Sequence, residues 1–146
     1  MQTVRQLLQA KGTDVWAVGP DTSVYDAIKI MTDKDIGALI VREGGNTVGL
    51  MSERDYVRNV ILQGRSSKET EVREIMTPRV VCARPDQTIE ECMAVMTEKR
   101  VRHLPVMDGS QLLGIISIGD LVKAMIEEQQ FIIEQLVHYI TDSRNP

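Results

Sequence analysis

Short apolar runs alternate with amphipathic stretches along this chain, and their order predicts its elements. Residues 3–11 place Val4, Leu7 and Leu8 on one helical face, and Gly12-Thr13-Asp14 breaks that pattern. Val15 to Val18 reads as a short strand. Gly19-Pro20-Asp21 turns the chain, and Thr22 or Ser23 can cap the next helix. Val24, Ala27, Ile28 and Met31 recur at i, i+3, i+4 and i+7, the face of an amphipathic helix. Ala38–Val41 and Val48–Met51 predict two strands joined by the turn Glu43-Gly44-Gly45-Asn46. Ser52-Glu53-Arg54-Asp55 opens a helix to about Leu62, and Gly64–Thr70 is a polar connector.

The pattern then begins again. A shift of 65 residues lays Val15–Tyr56 on Val80–Leu121 without a gap. Pro20-Asp21 falls on Pro85-Asp86, Met31-Thr32 on Met96-Thr97, and Lys34 on Lys99. Leu39, Val41, Gly44, Gly49, Ser52 and Asp55 fall on Leu104, Val106, Gly109, Gly114, Ser117 and Asp120. Ile89, Cys92, Met93 and Met96 repeat the apolar helix face. The lead-ins match as well, Val4-Arg5-Gln6-Leu7-Leu8 against Val72-Arg73-Glu74-Ile75-Met76. A repeat of this kind has to be settled before the fold is assigned. Each unit reads as β-α-β-β-α, too small to cover both faces of its sheet alone. The expected architecture is therefore α+β: two units packed about a pseudo-twofold axis on one core, with a cleft between them. The first unit with its lead-in helix and connector spans 1–70, the second 71–126, and a helical extension 127–146.

That extension departs from the repeat. One helix is expected from Asp120 to about Thr141, with Val122, Met125, Ile126, Ile133, Leu136, Val137 and Ile140 as an apolar stripe. It either folds over residues 3–11 or offers a surface to a partner helix, most simply in a homodimer.

Composition narrows the classes. Net charge is −4, which argues against a nucleic-acid binder relying on neutralised phosphates. The N-terminus lacks a secretory apolar segment, and no run reaches the ~20 apolar residues of a spanning helix; a cytoplasmic protein is the expectation. Cys82 and Cys92 form no metal-ligand spacing and read as buried small apolar residues. With only His103 and His138 beside them, no metal is expected.

The chemistry gathers between Val101 and Asp120. Val101-Arg102-His103-Leu104-Pro105-Val106 and Leu112–Ile116 form a hairpin around Asp108-Gly109-Ser110, closed by Ser117-Ile118-Gly119-Asp120. An antiparallel pair sets its open ends side by side, so Arg102, His103, Ser117 and Asp120 are expected on one edge. A cation, an imidazole, a hydroxyl and a carboxylate would suit a phosphate with sugar hydroxyls. The Ser-x-x-Asp runs are also helix-capping sequences, a role compatible with binding because a helix N-terminus attracts phosphate.

Residues 4–126 resemble a tandem cystathionine-β-synthase (CBS) domain pair, or Bateman module, of the stand-alone two-repeat regulatory kind. The resemblance rests on Val101–Val106, the two Gly-turn hairpins and the Ser-x-x-Asp that closes each unit. It implies adenine-nucleotide ligands between the units, of the AMP, ADP, ATP, NAD or S-adenosylmethionine class, and dimerisation through outer helices. It implies that Asp120 and Asp55 take ribose hydroxyls, with Ser117 and Ser52 assisting, and that Arg102 and His103, ahead of Leu104-Pro105, face phosphate in the Asp120 site, beside Ile118 and Gly119. The first unit has Gly37-Ala38 at the matching place, and Arg54 is the expected substitute cation. For the base, the resemblance implies Thr13, Val15, Trp16 and Ile36 in the Asp120 site, and Thr77, Val80, Val81 and Val101 in the Asp55 site. Trp16 serves equally well as a core residue. No nucleophile–base pair or phosphate-binding Gly-rich loop is present, so the expected role is a non-enzymatic sensor signalling to an unidentified partner protein. A dimerisation module with vestigial sites and, less favoured, a nucleotide-processing enzyme are the alternatives.

Overall fold

A computed structural model describes residues 2–144; Met1, Asn145 and Pro146, which the expected 1–70 and 127–146 spans include, lie outside the described residues. The order is α1 (Val4–Lys11), β1 (Ala17–Val18), α2 (Val24–Lys34), β2 (Ala38–Glu43), β3 (Asn46–Ser52), α3 (Glu53–Tyr56), α4 (Ile89–Lys99), β4 (His103–Asp108), β5 (Gln111–Ser117) and α5 (Ile118–Arg144). Side-chain oxygens of Thr3, Ser23, Ser52 and Thr88 accept the first free amides of α1, α2, α3 and α4, which fixes where those helices start. α2 and α4 end on left-handed residues, Asp35 at φ 53° and Arg100 at φ 55°. These two positions are 65 apart, so the repeat extends to a backbone conformation that L-residues adopt uncommonly.

The hairpins repeat in equal detail. β2 pairs antiparallel with β3, Leu39 opposite Met51, and slips register between Val41 and Arg42. β4 pairs with β5, Leu104 opposite Ile116, and slips between Val106 and Met107. The expected strand Val15–Val18 shortens to Ala17–Val18, parallel to β2. Its counterpart is one parallel bridge, Ala83 to Val106. The helix expected to run to Leu62 changes winding: after α3 the turns over Val57–Ile61 close wider, as π-helix.

The two units do not share one core, contrary to the expectation from the repeat. Val24, Ala27, Met31, Leu39, Met51, Val60, Val72 and Ile75 form one buried cluster. Val4, Leu7, Leu8, Ile89, Cys92, Met96, Leu104, Ile116 and Leu121 form the other. The lead-ins are exchanged between them. α1 comes before the first unit yet packs in the second, where Thr3 bridges Thr88 and the Val4 amide donates to Gln87 O at 2.8 Å. Val72 and Ile75 come before the second unit yet complete the first, where Glu71 bridges Ser23. Each unit thereby covers the sheet face it cannot close itself; burying one Leu of α1 contributes about 1.5–3 kcal/mol. At the α1 contact Gly114 is required, since a Cβ there would lie 2.9 Å from Leu8 Cδ2.

α5 spans 27 residues, about 40 Å at helical rise. Its start docks by Leu121 and Ala124 on α1 and α4. Beyond Ile126 the stripe stays exposed and does not fold over α1: Phe131, Ile133, Leu136 and Val137 all face solvent. Cys92 is buried, and burial with the nearby Glu91 charge pushes its thiol up to about 11. Cys82, expected buried, is exposed: it is equivalent to Ala17 of β1, which is exposed too, while their successors Val18 and Ala83 turn inward.

Candidate functional site

Between the units lies a cleft of about 980 Å3. Its first-unit wall starts at Ser52, where β3 passes into α3. Ser52 and Asp55 form a reciprocal cap: the Asp55 amide donates to Ser52 Oγ at 3.3 Å, and the Ser52 amide and hydroxyl donate to Asp55 Oδ2 at 2.9 and 3.1 Å. The other carboxylate oxygen accepts Thr77 Oγ1 at 3.3 Å. Thr77 is held by a two-way backbone bridge to Leu50, at 2.8 and 3.0 Å. Gly49 permits this, as a Cβ there would meet Met76 Sδ at 2.7 Å and Thr77 O at 3.0 Å. Val80, Val81 and Val101 add an apolar side to the same cleft.

The rest of the lining is basic. Arg54, Arg58, Arg79, Lys99, Arg100 and Arg102 line the cleft against only Glu53 and Asp55, so a chain of net negative charge presents a strongly positive pocket. Arg54 Nη1 donates to Arg100 O at 2.9 Å, which joins the first unit's helix to the left-handed end of α4. Arg58 follows Arg54 by four residues, in the π-helical turns after α3. Arg79, Lys99 and Arg100 carried no motif; Arg79 ends the second lead-in, and Lys99 and Arg100 end α4. The exchange of lead-ins and the symmetry axis bring them here, and the match between the lead-ins was the one sequence signal for it.

Arg102 and His103 also line this cleft, whereas the hairpin alone predicts them beside Asp120. The expected adjacency of strand ends does hold in the backbone, since His103 stands opposite Ser117 and the Ile118 amide donates to Arg102 O at 2.9 Å. The His103 ring, however, reaches across to the first unit while staying within electrostatic range of Asp120. His103 Nε2 lies 3.2 Å from where a Gly37 Cβ would be, so the glycine makes room for the imidazole. Burial lowers the His103 pKa below its usual value, and Lys11 and Arg102 act the same way against the charges of Glu53 and Asp120. The surroundings therefore favour the neutral ring.

Other expected site residues lie elsewhere. Ala38, Leu104 and Pro105 are buried; Leu104 belongs to the second core and Pro105 O accepts the Ala83 amide at 2.8 Å. Ile118 and Gly119 sit on the outer side of α5 in a shallow groove with Val122 and Ile126. Thr13, Val15, Trp16 and Ile36 are not among the residues lining the cleft. Trp16 is 44% exposed, with the Lys34 ammonium 4.3 Å from its ring centroid, so it is neither core nor part of this pocket. Asp120 repeats the cap, accepting the Ser117 amide at 2.8 Å, and Lys11 Nζ donates to the same Oδ2 at 2.5 Å. Burial acts to raise the Asp120 pKa; the Lys11 ammonium and the Ser117 amide outweigh it and hold the carboxyl below the usual carboxylate range.

Among the described residues no group of three or more His, Cys, Asp or Glu could hold a metal ion, and no helix is long and apolar enough to cross a membrane. A nucleotide-sized cleft between two capped Ser-x-x-Asp turns accords with what comparison finds: the CBS domain profile matches residues 4–61 and again 72–127. The chain belongs to the CBS domain family. Paired CBS domains are in general regulatory ligand-binding modules. The mitochondrial CBS domain-containing protein CBSX3 of Arabidopsis thaliana is 38% identical over 148 residues, which cover 94% of this chain and 71% of that protein. A solved CBS-domain protein from Burkholderia ambifaria is 53% identical, with TM-score 0.85 over 88% of this CBS pair and 96% of that chain. The CBS domain pair of MJ0100, solved with 5′-methylthioadenosine and S-adenosyl-L-methionine, shares the fold at TM-score 0.77 and 21% identity, over 88% of this chain and 98% of that one.

Proposed function

We propose that this CBS pair is a sensor that takes one phosphorylated adenosine ligand, of the AMP, ADP, ATP or NAD class, in the cleft of Asp55, and passes its occupancy to a partner protein. The observation that carries the reading is the pairing of the capped Asp55 carboxylate, with Glu53 beside it, with six cations lining the same cleft. In this reading Asp55 accepts ribose hydroxyls, while Thr77, Val80, Val81 and Val101 lie along the base. Arg102 and its basic neighbours receive phosphate, and the neutral His103 donates a hydrogen bond rather than a charge. The ligand then touches both units at once, so binding favours one angle between them, and a partner that distinguishes those angles can read it.

A regulatory role suits these groups better than catalysis. Asp55 is committed to Ser52 and Thr77, an arrangement suited to recognising hydroxyls and poorly suited to moving protons. The S-adenosylmethionine and methylthioadenosine of the MJ0100 pair support the adenosine half of the ligand. The cations support the phosphate half. We also propose that copies pair through their outer helices. Val57 and Ile61 of the first unit and Val122 and Ile126 of the second occupy equivalent positions and are 41–53% exposed, and a face that repeats about a local twofold can cover its own copy.

Calorimetry with AMP and adenosine tests the ligand reading. AMP should bind more tightly by about 1.5–3 kcal/mol, the worth of one charge-assisted contact, or roughly ten- to a hundredfold. Arg102→Gln should erase most of that margin. Equal affinity for both ligands, or equal loss of both on substitution, would remove the phosphate from this wall; steady hydrolysis of ATP or NAD by pure protein would replace the sensor with an enzyme.

A further inference from the structure

The two units treat equivalent atoms differently at their Ser-x-x-Asp turns. In the first, Leu50 O accepts the Thr77 amide at 2.8 Å and Asp55 Oδ1 accepts the Thr77 hydroxyl at 3.3 Å. The 65-residue register carries Leu50 to Ile115 and Asp55 to Asp120. There one group does both jobs: Lys11 Nζ donates to Ile115 O at 2.6 Å and to Asp120 Oδ2 at 2.5 Å. A neutral hydroxyl on one side is thus matched by a full positive charge on the other.

From this we infer that Lys11 is a built-in plug of the Asp120 half-site, so that each chain takes up one adenosine-type ligand and a second only after the lysine is displaced. The inference rests on the ribose role proposed for the Ser-x-x-Asp carboxylates. The Ser117 amide and the Lys11 ammonium both sit on Oδ2, so the lysine acts by neutralising the charge that makes this acceptor strong and by standing in the space between Ile115 O and the carboxylate, where a sugar edge would have to lie. Lys11 is placed by its helix and not by chance contact. It is the last residue of α1, whose Val4, Leu7 and Leu8 are buried in the second core, and the Gly12 amide closes the helix on Leu8 O at 2.7 Å. The plug is nonetheless removable, because the Lys11 and Asp120 side chains are 33% and 25% exposed and a lysine stem has many rotamers. The attraction that could help a ligand evict it is weaker than in the Asp55 cleft: at the positions equivalent to Arg102 and His103 the first unit offers Gly37 and Ala38, and Lys34, equivalent to Lys99, lies over the Trp16 ring.

The test counts sites. AMP titrated calorimetrically should saturate wild type at one per chain and Lys11→Met at two. Asp55→Ala should lose most of the heat, and Lys11→Met combined with Asp55→Ala should regain one site. Lys11→Arg, which keeps the charge, should stay at one. Two sites in wild type, or one site in a folded Lys11→Met, overturns the inference. A ligand-free measurement separates this from the adenosine reading. Acylation of Lys11 by an N-hydroxysuccinimide ester, followed by mass spectrometry, should speed up several-fold in Asp120→Asn, and an unchanged rate would mean that the lysine is not held. If no variant takes up AMP, the adenosine reading fails, and whether Lys11 closes the Asp120 turn is decided by the labelling alone.

Discussion

Substitution of Asp55 should separate two roles that one carboxylate combines. A carboxylate offers about four acceptor positions. Three donors already approach Asp55: the Ser52 amide at 2.9 Å, the Ser52 hydroxyl at 3.1 Å and, on the other oxygen, Thr77 Oγ1 at 3.3 Å. One position therefore remains on Oδ1, and the long Thr77 bond is the cheapest to exchange. A ribose can gain one full charge-assisted bond there and a second at the expense of Thr77. The net worth is then near that of a single bond, about 1.5–3 kcal/mol, or roughly ten- to a hundredfold in affinity. Asp55→Ala should lose that much for AMP. It should also lower stability by about 0.5–2 kcal/mol, because half of the reciprocal helix cap goes with it. Calorimetry with AMP and with its 2′,3′-dideoxy analogue, on wild type and on Asp55→Ala, isolates the ribose contact as a double-mutant cycle, while urea melts report the cap separately. Wild type should prefer AMP and the variant should bind both alike. If the preference survives in Asp55→Ala, the hydroxyls are read by another group and the assignment is wrong, whatever the melts show.

Four further outcomes rest on particular contacts. The folded pKa of His103 is lowered from about 6.5, so the unfolded chain binds the extra proton first and stability is full above pH 6.5 and declines as pH falls from there towards the folded value; urea melts at pH 7.5 and 5.5 should show the drop, reduced in His103→Asn. Gly49→Ala puts a methyl 2.7 Å from Met76 Sδ and 3.0 Å from Thr77 O, and should cost about 1–3 kcal/mol of stability by overpacking, measured by thermal melting, and weaken AMP by moving Thr77. Val122→Glu with Ile126→Glu should sediment as a monomer if copies pair through the outer helices, whereas an unchanged sedimentation coefficient would move the interface elsewhere. Of the two thiols, exposed Cys82 should react quickly with a disulfide reagent and buried Cys92, pushed up to about 11, only on unfolding; Cys82→Ser should abolish the fast phase.

The sequence disclosed what depends on local chemistry. Turn glycines, capping hydroxyls and apolar helix faces are set by neighbouring residues, and the repeat doubled each signal, so both hairpins and the Ser52–Asp55 and Ser117–Asp120 turns were legible. Part of the Asp55 cleft was legible only through the family resemblance, which grouped Thr77, Val80, Val81 and Val101 with Asp55; all five line one cleft. What stayed hidden depends on how the units meet. Nothing near Lys11 in the chain says that its ammonium reaches residue 120, and nothing near Lys99 and Arg100 says that α4 ends over the other unit's carboxylate. Long cationic side chains are placed by the packing of the elements that carry them. The same cause brings Arg102 and His103, whose strand neighbours are Ser117 and Ile118, to the lining of the Asp55 cleft as well, with the His103 ring beside Gly37.

The contact of His103 with Gly37 also explains why the two halves of a duplicated fold need not have equal sites. Residues near a pseudo-twofold axis meet their own counterparts, and side chains of the same size on both units would compete for one volume. Here the His103 ring takes the space and Gly37 yields it, with 3.2 Å between the imidazole and a Cβ that is not there. Once one unit has committed its strand end to the other's cleft, the reverse projection is closed off. The cations Arg102, Arg100 and Lys99 then all line the cleft of Asp55, and the first unit has Gly37 and Asp35 where the second has Arg102 and Arg100. A partly buried carboxylate in that position is helped by a positive partner, since burial acts to raise its pKa. Lys11 is that partner, from the exchanged lead-in helix. On this argument the packing at the axis and the pairing of Lys11 with Asp120 are one event, and a bulky residue at position 37 that displaced His103 would disturb both.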